Sequence, residues 1–267
     1  MLENQIPVPP LDMVMPPIYS QMLVSNFIVL ALLMVWVIKE ARRTHSAIPI
    51  LIMAGATVAI LTECLWDHLG AVWYPQYGHT PLYRIFNISV PLWMLAAYPI
   101  YLGGLGNYVY KRLGEGMTQS QFWKFYVLAW FANFLLEIPV LQMGVYVYHG
   151  PQPFMLFGFP LWQAMGNSLM PVVIGTVVYV WRELFAGMRG LLILLVIPMA
   201  QVIALAGVGW PTMLAINSGR GYEVTYPAAI VTFGLSLLMG YMISSKVCRP
   251  ATTEMQESRE STIPSPS

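Results

Sequence analysis

Seven stretches of this chain are apolar over the length a membrane helix requires, about 20 residues. They run Ile18–Ile38, Ile48–Gly70, Ile88–Tyr110, Phe122–Val145, Leu161–Trp181, Leu191–Leu214 and Pro227–Ser245. The pattern predicts an all-α membrane protein with seven transmembrane helices. Residues 1–17 are then a short N-terminal segment and residues 18–245 the helical domain. Residues 246–267, rich in Ser, Thr, Glu and Pro, read as a disordered tail.

The charges between the segments give an orientation. Lys39, Arg42 and Arg43 follow the first segment. Lys111, Arg112 and Lys124 flank the connection after the third, Arg182 and Arg189 lie in the next such connection, and Lys246, Arg249 and Arg259 occupy the tail. Only Arg84 and Arg220 fall on the other side. Positive residues accumulate on the cytoplasmic face. The expected N-terminus is therefore outside or lumenal and the C-terminus cytosolic. The expected home is an integral, multi-pass position: the endoplasmic reticulum of a eukaryote or the plasma membrane of a bacterium.

Composition agrees and excludes. Charged residues make up 9% of the chain and hydrophobic ones 57%, against roughly 25% charged in a soluble domain. A net charge of +1 lacks the basic stripe that nucleic acid demands. Cys64 and Cys248 fall near opposite membrane faces, so no disulfide framework is expected. The N-terminus is acidic and Pro-rich, without the basic stretch of a signal peptide.

Against that apolar background three carboxylates stand out: Glu63, Asp67 and Glu137. An ionisable residue inside hydrocarbon is costly and marks a functional site by default. Glu63 lies 15 residues after Ile48, and Glu137 lies 15 residues after Phe122. At 1.5 Å per residue each sits roughly 22 Å from the cytosolic end. The two helices run the same way, so the carboxyls are expected at equal depth. If they face one another across a cavity, desolvation and mutual repulsion favour a protonated carboxyl: an acid in a dry pocket. Asp67, four residues after Glu63, shares its helix face and either relays protons or caps the helix end.

An internal repeat links the two acids. Glu63, Gly70 and Tyr74 recur at the same spacing as Glu137, Gly144 and Tyr148, and Pro-Leu-Trp follows each set at Pro91–Trp93 and Pro160–Trp162. The second and third helices thus correspond to the fourth and fifth, and membrane proteins place sites at repeat interfaces. Asn133, Gln163 and Asn167 form a polar seam expected to satisfy Glu137, or to act as interhelical glue. Trp66, Trp73, Trp93 and Trp162 are expected near the carboxylates, as an interfacial belt or as faces that stabilise a cation, by about 2 kcal/mol when desolvated. The expected ligand-contacting set is Trp66, Trp93, Tyr148, Trp162 and Asn167. No metal spacing, aspartate-rich diphosphate motif or cofactor motif is present, so no metal or cofactor is expected.

Seven spans, a lone Glu deep in the second helix and short loops resemble the small integral-membrane terpene cyclases that make meroterpenoids. The resemblance covers most of residues 18–245. It implies a lyase- or isomerase-type enzyme that protonates an isoprenoid epoxide or alkene and closes rings through carbocations. It implies Glu63 as one essential acid. A second, near the last helix, falls on Glu223, which lies in a loop where an Asp is expected and either forms an exposed pair with Arg220 or turns into the cavity mouth. The repeated Glu, Gly, Tyr and Pro-Leu-Trp pattern also resembles membrane carotenoid hydratases and small lycopene cyclases, which likewise protonate a double bond. The implied partners are a lipophilic isoprenoid and membrane lipids. A proton-coupled transporter of a lipophilic molecule stays open, since it would use Glu63 and Glu137 too. A retinal protein does not fit, because the last helix carries no Lys before Lys246 at its cytosolic end.

The charge pattern has a direct test. Reporter fusions after Arg43, Arg112, Arg189 and Arg249 are expected to read cytosolic, and fusions near His79, Gly150 and Arg220 to read non-cytosolic. Two reversals would overturn the span assignment.

Overall fold

The computed structural model describes residues 7–250. Six helices in it are long and apolar enough to cross a membrane. The first, α1 (Tyr19–Thr44), is peripheral and carries exposed apolar residues such as Val24, Ile28 and Leu32. The second starts at Ile48 with Pro49 in its first turn, where a missing N–H costs nothing. It runs as α2 (Ile48–Ala59), tightens into a 3₁₀ turn over Ile60–Thr62, and resumes as α3 (Glu63–Gly70). Tyr83 donates to the Ile60 carbonyl at 2.5 Å, satisfying backbone at that break.

The third expected segment differs. Its first residues form a strand. Two-residue β1 (Val72–Trp73) is followed by a hairpin of β2 (Pro81–Ile85) and β3 (Ile88–Pro91). β-branched residues before Pro91 favour extended backbone, because proline disfavours helix in the residue before it. Helix begins only at α4 (Met94–Tyr98), passes through a π segment, Pro99–Gly104, and ends as α5 (Leu105–Gly114). Pro99 supplies no N–H, which is one cause of such a shift in helix pattern.

Next come α6 (Gln119–Gln142), opened by a Thr118–Gln121 capping box, then β4 (Val147–Tyr148), a hairpin of β5 (Met155–Leu156) and β6 (Phe159–Pro160), and α7 (Leu161–Val180). A 3₁₀ turn, Gly187–Leu192, leads into α8 (Ile193–Ile216), and α9 (Tyr222–Val247) closes the bundle. α7 is the buried centre, packed against α5, α6, α8 and α9. Leu128, Leu135, Leu195 and Met242 lie exposed on outer helices. Apolar surface of this extent suits lipid rather than water. The last helix overruns its expected end at Ser245. Arg249 then exchanges backbone bonds with Met117 and Gln119, so the tail's first residues are folded against the bundle. Residues 251–267 of that expected tail lie outside the described residues.

The repeat is visible as architecture. Each half reads helix, short strand, hairpin, helix. Both hairpin turns place two successive residues at positive φ, Phe86 and Asn87 in one and Phe157 and Gly158 in the other, as a type I′ turn requires. β1 pairs antiparallel with β4, Trp73 opposite Val147. Those two residues are repeat mates, 74 apart like Glu63 and Glu137. A residue facing its own mate marks a local two-fold axis. A second mark lies between α5 and α7. Gly106 and Gly175 are 69 apart, like the two Pro-Leu-Trp runs, and they meet at the helix crossing.

That crossing is tight. A Cβ on Gly175 would lie 2.6 Å from Val109 Cβ and 2.7 Å from the Gly106 carbonyl oxygen. Small residues let membrane helices approach this closely. Gly175→Ala is expected to cost roughly 1–3 kcal/mol as an overpacking change. Gly114→Ala, whose Cβ would meet nothing within 4 Å, is the control. Thermal unfolding in detergent compares them, and equal midpoints would refute the packing argument.

Candidate active site

The helix that carries Glu63 and Asp67 is anchored at its end by three hydrogen bonds from two separate segments. Asn217 Nδ2 donates to the Leu69 carbonyl (2.8 Å), Gln152 Nε2 to that of Gly70 (2.7 Å) and the His149 backbone N–H to that of Ala71 (2.8 Å). Carbonyls at a helix end need such partners when buried. Both acids are thereby held on a fixed turn.

They open onto a cavity of about 320 Å³. Its wall brings together Glu63, Asp67 and Glu137, with Tyr74, Tyr98, Tyr101 and Tyr148, the indoles of Trp66 and Trp93, and the amides Asn133, Gln163, Asn167 and Gln201. No Lys or Arg lines it among the described residues. Met22 and Asn26 of α1 and Leu136 and Val140 of α6 complete the wall on the bundle's outer side. Four of the five expected ligand-contacting residues, Trp66, Trp93, Tyr148 and Asn167, are therefore on the cavity, as are the three expected acids.

The acids are not alike. Glu63 is fully engaged: Tyr74 donates to its Oε1 at 3.0 Å and Tyr98 donates to its Oε2. Asp67, 3% exposed, has a buried Oδ2 with no hydrogen-bond partner, and Glu137 has a buried Oε2 in the same condition. Such groups are expensive in an apolar setting. Burial also holds the phenols of Tyr74 and of Tyr148 in β4, both outside the helical spans, well above the usual tyrosine value. Both are neutral hydroxyls at physiological pH.

Two expectations, for Trp162 and Trp73, are corrected, and two that stood open are decided. Trp162 does not line the cavity. It is fully buried, donates from Nε1 to Gln152 Oε1 at 3.1 Å, and packs toward Gly70 and Gly209. Its repeat mate Trp93 does face the cavity and has no partner for its Nε1. The polar seam takes the second of its two expected roles, interhelical glue, and does not reach Glu137. Asn133 instead donates to Tyr101 Oη (2.8 Å) and Ser168 Oγ (3.2 Å), and Gln163 to Asn167 Oδ1 (2.9 Å). Glu223 is exposed in the first turn of α9, where it accepts from the Gly221 N–H at 3.1 Å, away from the cavity. Trp73 is buried in β1 and does not contribute to the wall either.

Sequence reasoning missed Tyr98 and Gln201. Gln201 donates from Nε2 to Tyr98 Oη at 3.0 Å and accepts from Thr62 Oγ1 at 3.3 Å, and Trp66 Nε1 donates to Thr62 at 3.1 Å. The available signal was a lone amide within the apolar run of α8. No group of three or more metal-ligating side chains occurs among the described residues. Compared with protein-family models, curated proteins and solved structures, the chain matches none. Function is therefore argued from the cavity itself.

The Trp162 geometry predicts a packing role. Trp162→Ala is expected to cost roughly 3–5 kcal/mol and to lower the yield of folded protein. Trp93→Ala is expected to leave yield near wild type. A Trp162→Ala protein with an unchanged unfolding midpoint would contradict this.

Proposed function

We propose that this protein is a membrane-bound, acid-initiated isoprenoid cyclase of the meroterpenoid cyclase type. It protonates an epoxide or alkene and closes rings through carbocations. The observation that carries the reading is the convergence of Glu63, Asp67 and Glu137 on one largely apolar cavity with tyrosines, two tryptophans and no lining Lys or Arg among the described residues. Without a countercharge, a buried carboxyl is cheaper neutral than ionised. That is what an acid catalyst of an unactivated double bond requires. Indole faces supply the quadrupole that a developing cation seeks. The cavity lies at the small end of the range for ligand sites, which favours a short prenyl chain over a carotenoid.

In this reading the chain crosses the membrane seven times, counting Met94–Gly114, which would measure about 31 Å if straight. The N-terminus is outside or lumenal and the C-terminus cytosolic. Ten of the twelve described Lys and Arg residues gather at one end of the bundle, all but Arg84 and Arg220, which supports that orientation. The cavity then opens near the non-cytosolic side.

A second reading has one observation in its favour. Helices interrupted beside a midplane site are common in transporters, and this cavity is bordered by the 3₁₀ turn at Ile60–Thr62 and the π segment at Pro99–Gly104. A proton-coupled carrier of a lipophilic molecule would use the same acids.

Membranes containing the protein, supplied with a panel of epoxidised prenylated aromatics and polyenes, are expected to yield isomers of unchanged mass. Glu63→Gln keeps size and loses the acidic proton. It is expected to insert normally and to turn over roughly 10²-fold more slowly. Unimpaired turnover in that variant sinks the acid mechanism. Flux that follows a pH gradient, with the molecule recovered unchanged, selects the carrier.

A further inference from the structure

The hydrogen bonds around Glu63 have a direction. Gln201 Nε2 donates to Tyr98 Oη at 3.0 Å, and its Oε1 faces the Thr62 hydroxyl at 3.3 Å, whose single hydrogen also has the Ala59 carbonyl within reach at 2.8 Å. The Tyr98 hydrogen then has Glu63 Oε2 as its acceptor. A proton placed on Oε2 would have to point at Tyr98 Oη, whose acceptor position Gln201 Nε2 already fills. No such lock exists on the other oxygen. Tyr74 Oη contacts Glu63 Oε1 at 3.0 Å, and no other protein acceptor for that hydroxyl occurs among the described residues. When Glu63 is neutral, its proton sits on Oε1 and donates to Tyr74 Oη. The Tyr74 hydrogen is then turned toward the cavity, whose wall Tyr74 forms.

We propose that Tyr74 is the catalytic residue that hands a proton to the substrate, that Glu63 reloads it, and that Tyr98 and Gln201 are positioning residues that keep the Glu63 proton on Oε1. The step balances. The Tyr74 O–H bond breaks as a new bond forms from that hydrogen to the substrate's alkene carbon or epoxide oxygen. The Glu63 Oε1–H bond breaks as the Tyr74 O–H bond is remade. Glu63 is left as a carboxylate that accepts from both Tyr74 and Tyr98, the arrangement the structure displays. The cation later returns a proton when the product alkene forms. Glu63 need not give its proton to the substrate directly, because both its oxygens are engaged by tyrosines that themselves line the cavity. The chemical identity of the proton acceptor rests on the cyclase reading above, whereas the state of Glu63 does not.

Infrared spectroscopy of the full-length protein in detergent, without substrate, tests the lock. A neutral-carboxyl C=O band is expected in the wild type and absent in Glu63→Gln. Tyr98→Phe, which removes the bond donated to that C=O, is expected to raise the band's frequency. Gln201→Leu, which frees Tyr98 to reverse, is expected to split it. A Glu63 band that neither variant moves overturns this proposal and leaves the cyclase reading standing. No Glu63 band in the wild type overturns both. On the epoxide and polyene panel, Tyr74→Phe is expected to lose activity as far as Glu63→Gln does, roughly 10²-fold, with the Glu63 band still present. Wild-type-like turnover in Tyr74→Phe overturns the hand-over.

Discussion

Hydrocarbon offers no hydrogen-bond partner, so every polar group inside a membrane bundle must find one within the protein. Most of this bundle obeys. Asn107 donates to the Pro49 carbonyl at 3.0 Å, Thr212 and Thr232 share a bond of 2.7 Å, and Ser168 returns its hydroxyl to Ala164 at 2.7 Å. The first two bonds tie helices together, the third closes within α7, and all these groups are satisfied. Against that background the unpartnered oxygens of Asp67 and Glu137 carry weight. Retaining an unsatisfied carboxyl in such surroundings costs stability, and a cavity between the two is the one place where that cost can be converted into chemistry.

The duplicated frame explains how the acids come to face one space. Equal spacing in two helices places Glu63 and Glu137 at equal depth. The axis marked by Trp73–Val147 and Gly106–Gly175 turns one half onto the other. What the axis relates it does not make equal. Asp67 has Leu141 as its mate, and Tyr98, which holds Glu63, has Asn167. Trp93 lines the cavity while Trp162, with the same neighbours in sequence, is tied to Gln152. Geometry is shared between the halves and chemistry is divided.

The six long helices were legible because continuous apolar length is a strong signal, and the acids were legible because they interrupt it. The breaks were harder to read. Ile60–Thr62 contains neither Gly nor Pro, so nothing local announces its 3₁₀ turn. Ile88–Pro91 reads as the start of an apolar span, yet it pairs with Pro81–Ile85, and the turn between them uses Phe86 and Asn87 at positive φ without a glycine. The network around Glu63 was illegible for another reason. Tyr98, Thr62 and Gln201 come from separate helical segments, and a single sequence does not say which helices touch. The different fates of Trp93 and Trp162 were decided by Gln152, a loop residue whose position depends on its bond to the Gly70 carbonyl.

A cavity built astride a two-fold axis has a directional problem. To first approximation an elongated lipophile meets the same walls whichever end enters first, and both orientations bind. A free-energy gap of about 1.4 kcal/mol between them is a tenfold preference, and only departures from symmetry can supply it. Asp67 opposite Leu141, and Tyr98 opposite Asn167, are such departures. They give the cavity a head and a tail. On the proposed cyclase reading, the few positions at which the two halves disagree decide which end of a molecule reacts, and selectivity for one product is written in the mismatches between repeats rather than in the features they share.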